Sequence, residues 1–187
     1  ERAAAYANHL GEQDGLLIKQ LAVVAAPAPH DYFLRHRKFI PRGKTVVALH
    51  ALVMACGSGC QTALMVPTEI LAEQHYLNLA PLLRAVGLKA VLLTSGGKAK
   101  DRNETLKQLE SGVAQIAIGT HALIQKKVRF ANLGLVIVDE QHKFGVLQRK
   151  TLLEKGYRPD VLVMTATPIP RTLAMTVYGD LDVSVID

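Results

Sequence analysis

The adjacent carboxylates Asp139 and Glu140 are the residues of this sequence best suited to catalysis. They follow directly the branched apolar run Leu135–Val138, which is typical of a strand buried on both faces of a parallel sheet. Two carboxylates at the end of such a strand suit a site that holds a divalent metal ion and activates a water molecule. A strand that ends in a solvated acidic turn has the same pattern, so the pair alone leaves both interpretations open.

The tripeptide Gly43-Lys44-Thr45 is a second candidate, and it precedes the apolar run Val46–Ala55. Where such a tripeptide opens a helix, the lysine reaches the β and γ phosphates of a nucleotide and the threonine hydroxyl ligates magnesium. A complete phosphate-binding loop has a glycine five residues before Gly43, where this sequence has Lys38. Pro41 also removes one amide from the loop. The tripeptide therefore needs support from other motifs.

Strands and helices alternate along the chain from Thr62 to its end. This regular framework would position the candidate residues described above. The predicted strands are Ala63–Val66, Lys89–Thr94, Gln115–Ile118, Leu135–Val138, Val161–Met164 and Asp182–Ile186. Repeated alternation of strand and helix predicts an α/β fold with a largely parallel sheet flanked by helices.

Polar groups follow the carboxyl end of each of the first five predicted strands. They are Thr68 and Glu69; Ser95, Gly96 and Lys98; Gly119, Thr120 and His121; Asp139, Glu140, Gln141 and His142; and Thr165, Ala166 and Thr167. Because the carboxyl ends of parallel strands share one edge of a sheet, we expect these groups to converge there. The threonines have an alternative role as helix caps, which is the commoner use of threonine at such turns.

The first 29 residues form a separate region in this interpretation. Leu10, Leu17, Leu21 and Val24 recur near helical spacing, and two glycines interrupt the pattern, which predicts two short helices. Pro27-Ala28-Pro29 ends this region. We therefore predict a helical segment over residues 1–29 and one α/β lobe over residues 30–187.

Composition indicates a globular cytoplasmic protein with an anionic partner. The chain has 187 residues, enough for one domain with a sizeable core, and its net charge is 22 − 16 = +6. That charge favours nucleic acid, and the absence of tryptophan favours phosphate contacts over base stacking. The sequence has only two cysteines, Cys56 and Cys60, and no second pair. We therefore predict neither a disulfide framework nor a metal centre. The sequence has no apolar run of membrane-spanning length and no signal-peptide pattern, so we expect no membrane partner.

Four strings of residues resemble the RecG family of superfamily 2 DNA helicases and translocases. The string VIVDEQHKFGVLQR over residues 136–149 resembles the Walker B and motif II region, and VMTATPIPRTLAMTVYGDLDVSVID over residues 163–187 resembles motif III and the family sequence after it. Pro67–His75 resembles motif Ia, and Ile118–Leu123 resembles the next DNA-contacting motif. The resemblance extends in order and spacing over residues 43–187, and it implies a RecA-like P-loop NTPase lobe.

The resemblance also implies a role for each candidate residue. ATP would be bound by Gly43, Lys44 and Thr45, with Mg²⁺ held by Thr45 and Asp139. Glu140 would polarise the attacking water, and Gln141 and His142 would link the nucleotide to the coupling residues Thr165, Ala166 and Thr167. The DNA-binding residues would be Thr68, Gly96, Lys98, Gly119 and Thr120. The family remodels stalled forks and recombination junctions in DNA repair, so the implied partners are branched DNA, a second RecA-like lobe and a wedge domain.

Three departures from the family pattern are present, and those at the phosphate-binding loop keep an alternative function open. Lys38–Arg42 stands where the family has Gly-Asp-Val-Gly-Ser, and no adenine-side glutamine motif precedes it; Lys143 also replaces an arginine. A RecA-like module that has lost nucleotide chemistry and only binds DNA or a partner protein would show the same loop. The strings after Asp139 disfavour an unrelated kinase or GTPase. We expect negligible ATP hydrolysis by the isolated chain, because the arginine finger of the second lobe is absent from it.

Overall fold

One seven-stranded sheet organises the part of the chain that the structure describes. The computed structural model describes residues 22–25, 43–96, 99–140, 143–165 and 182–185. The strands are β1 (Ala22–Ala25), β2 (Gln61–Met65), β3 (Ala90–Leu93), β4 (Ile116–Gly119), β5 (Leu133–Asp139), β6 (Asp160–Thr165) and β7 (Asp182–Val185). They lie in the order β3-β4-β2-β5-β6-β1-β7, and all neighbouring pairs are parallel. The predicted α/β fold with a parallel sheet is confirmed.

Helices connect the successive strands from β1 to β6, as the alternating sequence pattern predicts. They are α1 (Gly43–Gly57), α2 (Glu69–Ala85), α3 (Ala99–Glu110), a 3-10 helix (His121–Ile124) and α4 (Val146–Leu153). Thr68 begins α2 as its N-cap, since its hydroxyl accepts a hydrogen bond of 3.3 Å from the Leu71 amide. No helix within the described ranges is long and apolar enough to cross a membrane.

The sheet buries apolar residues on both faces, as the unbroken apolar run at Leu135 predicts. Leu135 and Ile137 of β5 pack with Leu64 in one cluster, against α1 and α2. Val136 and Val138 point to the opposite face, where a second cluster includes residues of the 3-10 helix and α4. Because successive side chains of a strand alternate between faces, a strand covered on both sides must be apolar throughout.

The prediction of helix was wrong for Ala22–Ala25. This stretch is β1, and it lies between β6 and β7, with Val23 paired to both Val163 and Val183. Two adjacent β-branched valines suit an extended strand, and hydrogen bonding on both sides outweighs the weak helical spacing of the surrounding apolar residues. The predicted N-terminal segment therefore contributes a strand to the sheet. Its other residues, and the helix predicted near Arg171–Tyr178, lie outside the described residues.

Candidate functional site at the carboxyl edge of the sheet

Asp139 is the last residue of β5, and hydrogen bonds orient both oxygens of its carboxylate. Oδ1 accepts a bond of 3.0 Å from the Glu140 amide, and Oδ2 lies 3.1 Å from Nε2 of His75. The residue is only 8 % exposed. A nearly buried carboxylate with both oxygens in hydrogen bonds has a fixed orientation, which a solvated surface charge does not have. The interpretation of this pair as a freely solvated acidic turn is therefore wrong.

Glu140 adopts a backbone conformation that is uncommon for a residue with a side chain. Its φ angle is +50°, in the left-handed region, and its carbonyl accepts a bond of 2.9 Å from the Lys143 amide. The backbone strain of such a conformation is on the order of 1–3 kcal/mol, and residues that adopt it cluster at functional sites. The turn ends the strand abruptly and directs the Glu140 side chain towards the first turn of α1.

The side chain of Lys44, in the first turn of α1, contacts the side chain of Glu140. Its Nζ lies 3.5 Å from Oε1 of Glu140, and the two side chains are 19 % and 24 % exposed. Gly43-Lys44-Thr45 opens α1, as predicted, and the apolar run after it forms the helix. The first amides of a helix have no intrahelical partner and attract anions, so Lys44 and the start of α1 together favour a phosphate group.

The oxygen ligands at this point suit a magnesium ion. Mg²⁺ is usually bound through one or two carboxylates together with substrate phosphates. Asp139 supplies an oriented carboxylate, and Thr45 lies beside Lys44 on the first turn of α1, the turn that contacts Glu140. The residues present therefore fit an ion that takes a carboxylate and a hydroxyl from the protein.

Glu69 is one of the polar groups expected at this edge, although the sequence assigned it no binding or catalytic role. Its Oε1 accepts hydrogen bonds from the amides of Ser95, at 2.8 Å, and Gly96, at 3.2 Å. The bonds join the first turn of α2 to the turn after β3, so the predicted DNA-binding residues Thr68 and Gly96 lie on two connected segments. Acidic residues are common in the first turn of a helix, so the sequence does not indicate that Glu69 also accepts hydrogen bonds from these two amides.

Gly119 and Thr120 have local structural roles at the end of β4. A Cβ atom on Gly119 would lie 2.2 Å from the carbonyl oxygen of Leu93, so only glycine allows this approach of β3 and β4. Thr120 is 1 % exposed, and its hydroxyl caps the 3-10 helix by accepting a 3.5 Å bond from the Ala122 amide. The alternative role of threonine as a cap is thus observed at both Thr68 and Thr120. Their contacts with DNA stay predictions.

The next residue along, His121, extends this polar edge. Its Nε2 lies 3.2 Å from the Ser95 hydroxyl, which connects the turns after β3 and β4. Two predicted groups thus converge through a direct contact, as expected from strands β3 and β4 being neighbours.

A cavity of about 290 Å³ opens beside these turns, between α2 and α3. Its polar lining includes Glu69, Glu73, Thr94, Asp101, Arg102 and Thr105. The Arg102 guanidinium spans this region, with bonds to the Thr94 carbonyl at 3.3 Å and the Gln125 side chain at 2.6 Å. No sequence pattern indicates this cavity, because its walls come from separate elements.

Some predicted site residues lie outside the described residues. They are Lys98, Gln141, His142, Ala166 and Thr167, together with the loop Lys38–Arg42. Thr165 is described, and it is the buried last residue of β6, the neighbour of β5. The predicted connection between the nucleotide site and the residues directly after β6 stays a prediction, because those residues lie outside the described part of the chain.

Comparison with protein families supports a helicase assignment. The model of the DEAD/DEAH box helicase family matches residues 42–176. Similar curated proteins include the ATP-dependent DNA helicase RecG of Streptococcus pneumoniae, 59% identical over 145 residues, and that of Bacillus subtilis, 61% identical over 145 residues. Each alignment covers 78% of this chain and 21% of the relative. The chain spans about a fifth of the length of these relatives.

Solved structures agree with the sequence relatives. A structure of RecG bound to a three-way DNA junction has a TM-score of 0.72 and 36% identity, and the match covers 97% of this chain and 24% of that one. A Saccharomyces cerevisiae Dbp5 complex has a TM-score of 0.63 at 13% identity, covering 89% of this chain and 44% of that one. The second likeness shows the fold alone. The resemblance to RecG and the RecA-like fold are confirmed.

Proposed function

The chain belongs to the DEAD/DEAH box helicase family, and from that premise we propose that it is the first RecA-like lobe of an ATP-dependent helicase or translocase that acts on branched DNA. The observation that carries the proposal is the contact between Lys44 Nζ and Glu140 Oε1, 3.5 Å apart. It brings together a lysine at the start of a helix and the carboxylate after a buried strand. That combination suits phosphoryl transfer, which requires mainly positioning and charge neutralisation.

Lys44 binds the β and γ phosphates of ATP in this proposal. Its ammonium now pairs with Glu140, and an incoming triphosphate would replace that carboxylate as its partner. The amides at the start of α1 add donors that point at the same anion. Nucleotide binding therefore changes the environment of Glu140 directly.

Asp139 and Thr45 would hold Mg²⁺, which neutralises charge on the phosphate oxygens when it is bound. Glu140 orients the attacking water and accepts its proton, as its strained backbone and its place beside Lys44 favour. Gln141 and His142, by resemblance, connect the nucleotide to Thr165, Ala166 and Thr167. This connection would couple hydrolysis to movement of the lobe.

DNA would lie along the turns at the carboxyl ends of β2, β3 and β4. We assign backbone-phosphate contacts to Thr68, Gly96 and Lys98 and, because Thr120 itself is 1 % exposed, to the turn that Gly119 and Thr120 begin. The excess of basic over acidic residues, 22 to 16, supports contacts of this kind. The solved RecG complex contains a three-way junction, which supports branched DNA as the substrate. A second RecA-like lobe and a wedge domain would complete the motor, and cytoplasmic location stays a prediction.

A second candidate function is a module that binds DNA or a partner protein without nucleotide chemistry. Two residues of the phosphate-binding loop favour it. Lys38 stands in place of a glycine, and Pro41 has no backbone N–H to donate to a phosphate. The two candidates agree on the fold and the DNA surface and differ in whether Mg-ATP binds.

Calorimetry with Mg-ATP separates the two candidates. We expect saturable binding by this chain and none by Lys44→Ala, with circular dichroism showing that both are folded. Absence of binding by the wild-type chain would favour the second candidate. DNA affinity should fall as salt is added in either case, because phosphate contacts dominate.

A further inference from the structure

We propose that His75 is a positioning residue that fixes the Asp139 carboxylate for the metal ion. His75 lies on α2, 64 residues before Asp139, and its Nε2 is 3.1 Å from Asp139 Oδ2. The inference rests on the proposed function, because it assigns His75 to the same nucleotide site. His75 is the last residue of the string that resembles motif Ia, and the resemblance assigns it no chemical role.

Each oxygen of the Asp139 carboxylate accepts a hydrogen bond from a different partner. The Glu140 amide donates to Oδ1, at 3.0 Å, and His75 donates to Oδ2, so the two bonds restrain rotation of the carboxylate about its Cβ–Cγ bond. Each ionised oxygen still has a lone pair for a metal ion. Partners that orient a metal ligand in this way are worth about 10- to 100-fold in metal affinity.

Both side chains of the pair are largely shielded from water. The side chains of His75 and Asp139 are each 12 % exposed. A hydrogen bond to a carboxylate in such surroundings is stronger than one in bulk water, and removing its donor leaves the carboxylate less well satisfied. The bond therefore adds to the Glu140 amide in fixing the orientation of the Asp139 carboxylate.

The helix that carries His75 is anchored independently of this bond. Ala72, Leu79 and Leu83 of α2 are fully buried in the core, and Thr68 caps its first turn. The helix does not need the bond from His75 for docking, which argues against a purely structural purpose. A site built on such a rigid element holds its geometry better than one built on a loop.

The test measures binding of Mn²⁺ together with ADP to this chain, by the loss of the electron paramagnetic resonance signal of free Mn²⁺. We expect His75→Phe, which keeps a ring but has no donor, to weaken Mn²⁺·ADP binding about 10- to 100-fold. His75→Gln places an amide donor at a similar reach and should recover most of the affinity. Asn78→Ala, at an exposed position one turn along α2, should bind as the wild type does.

Two further measurements separate positioning from support of the fold. Binding of ADP in EDTA should be the same for the wild type and His75→Phe, because the metal is absent from that measurement. Thermal unfolding of each variant establishes that the chain used is folded. A residue with only a structural role would lower the melting temperature and leave Mn²⁺·ADP affinity of the folded chain unchanged.

The outcomes are distinct for the two proposals. Equal Mn²⁺·ADP affinity in the wild type and folded His75→Phe would overturn the role of His75 and leave the proposed function intact. Failure of His75→Gln to recover affinity, when His75→Phe has lost it, would also overturn the assignment of a donor role. Absence of Mn²⁺·ADP binding by the wild-type chain would overturn the proposed nucleotide function, and this inference with it.

Discussion

Lys44 and Glu140 are 96 positions apart in the sequence, yet Nζ of one lies 3.5 Å from Oε1 of the other. The pair is partly exposed, at 19 % and 24 %, so its contribution to stability is small, on the order of 0–1 kcal/mol. Its importance lies in placing an ammonium and a carboxylate at one edge of the sheet. Substitutions at the two positions should therefore alter nucleotide chemistry more than folding.

Glu140→Gln should retain Mg-ATP binding and lose hydrolysis. The amide keeps the size of the side chain but cannot accept a proton from water, which lowers turnover by about 10²- to 10⁴-fold. The measurement is DNA-stimulated phosphate release by a full-length protein that contains this chain, with calorimetry on the chain as the binding control. Unchanged turnover in this variant would refute the role assigned to Glu140.

Gln61→Leu should destabilise the fold by about 2–4 kcal/mol. The Gln61 side chain is buried and donates to the carbonyls of Leu109, at 2.9 Å, and Ala114, at 2.7 Å. Its Oε1 accepts a 2.9 Å bond from the Asn132 amide. Leucine leaves all three backbone groups without this partner, as urea unfolding would show.

Gln108→Leu is a matched control for that substitution. The Gln108 side chain donates a hydrogen bond at the surface to Glu104, four residues earlier in α3, and bonds to no other side chain among the described residues. The same chemical change there should shift stability by less than about 0.5 kcal/mol. Similar losses in the two variants would show that the buried bonds of Gln61 are worth little.

Gly119→Ala should destabilise the sheet by about 1–3 kcal/mol or more. The added Cβ would lie 2.2 Å from the Leu93 carbonyl oxygen, which belongs to the backbone and cannot move without separating β3 from β4. Gly57→Ala is the control, because a Cβ at Gly57 would meet nothing within 4 Å. Alanine at Gly57, the last residue of α1, should be neutral or stabilising by up to about 1 kcal/mol. Equal melting temperatures for the two variants would contradict this account of Gly119.

The strand ends and the opening of α1 could be predicted from sequence because local patterns determine them. A branched apolar run such as Leu135–Val138 is compatible with few settings other than a doubly covered strand, and parallel strands must share an edge. Asp139 and Glu140 followed from those two arguments, and Lys44 followed from the Gly-Lys-Thr tripeptide at the start of α1. The RecG strings supplied the order of the motifs.

The partners of these residues could not be predicted in the same way. His75 and Glu69 bond to groups 64 and 26 positions away, and nothing in a helical pattern marks which polar residue will face another element. The strand at Ala22–Ala25 was missed for a related reason. Its extended form depends on pairing with β6 and β7, which local spacing does not contain.

Cys56 should react slowly with alkylating reagents. Burial raises the pKa of its thiol to about 11, so at pH 8 only about 0.1 % is thiolate, the nucleophilic form. Modification by iodoacetamide at pH 8, followed by mass spectrometry, should proceed far more slowly at Cys56 than at the thiol of free glutathione. In urea the two rates should become similar, and a fast reaction in the folded chain would contradict the burial of this thiol.

Asp160→Asn should stabilise the protein at neutral pH. Burial raises the pKa of the Asp160 carboxyl above its ordinary value of 3.8, so the folded state holds this proton more tightly than the unfolded state does. The stability that this group contributes is complete below pH 3.8 and falls as the pH rises through the folded pKa. Asparagine has no charge to desolvate, and because Asp160 is partly exposed the gain at pH 7 should be below about 1 kcal/mol.

The pH dependence identifies burial of the charge as the cause of that gain. The difference in melting temperature between Asp160→Asn and the wild type should be largest near neutral pH and should vanish as the pH falls towards 3, where both side chains are neutral. Asp101→Asn is the control, because Asp101 is exposed in the first turn of α3 and its charge favours the helix. That substitution should lower the melting temperature slightly at pH 7. A gain from Asp160→Asn that persists at pH 3 would show that packing or hydrogen bonding of the amide, rather than removal of a desolvated charge, stabilises the strand.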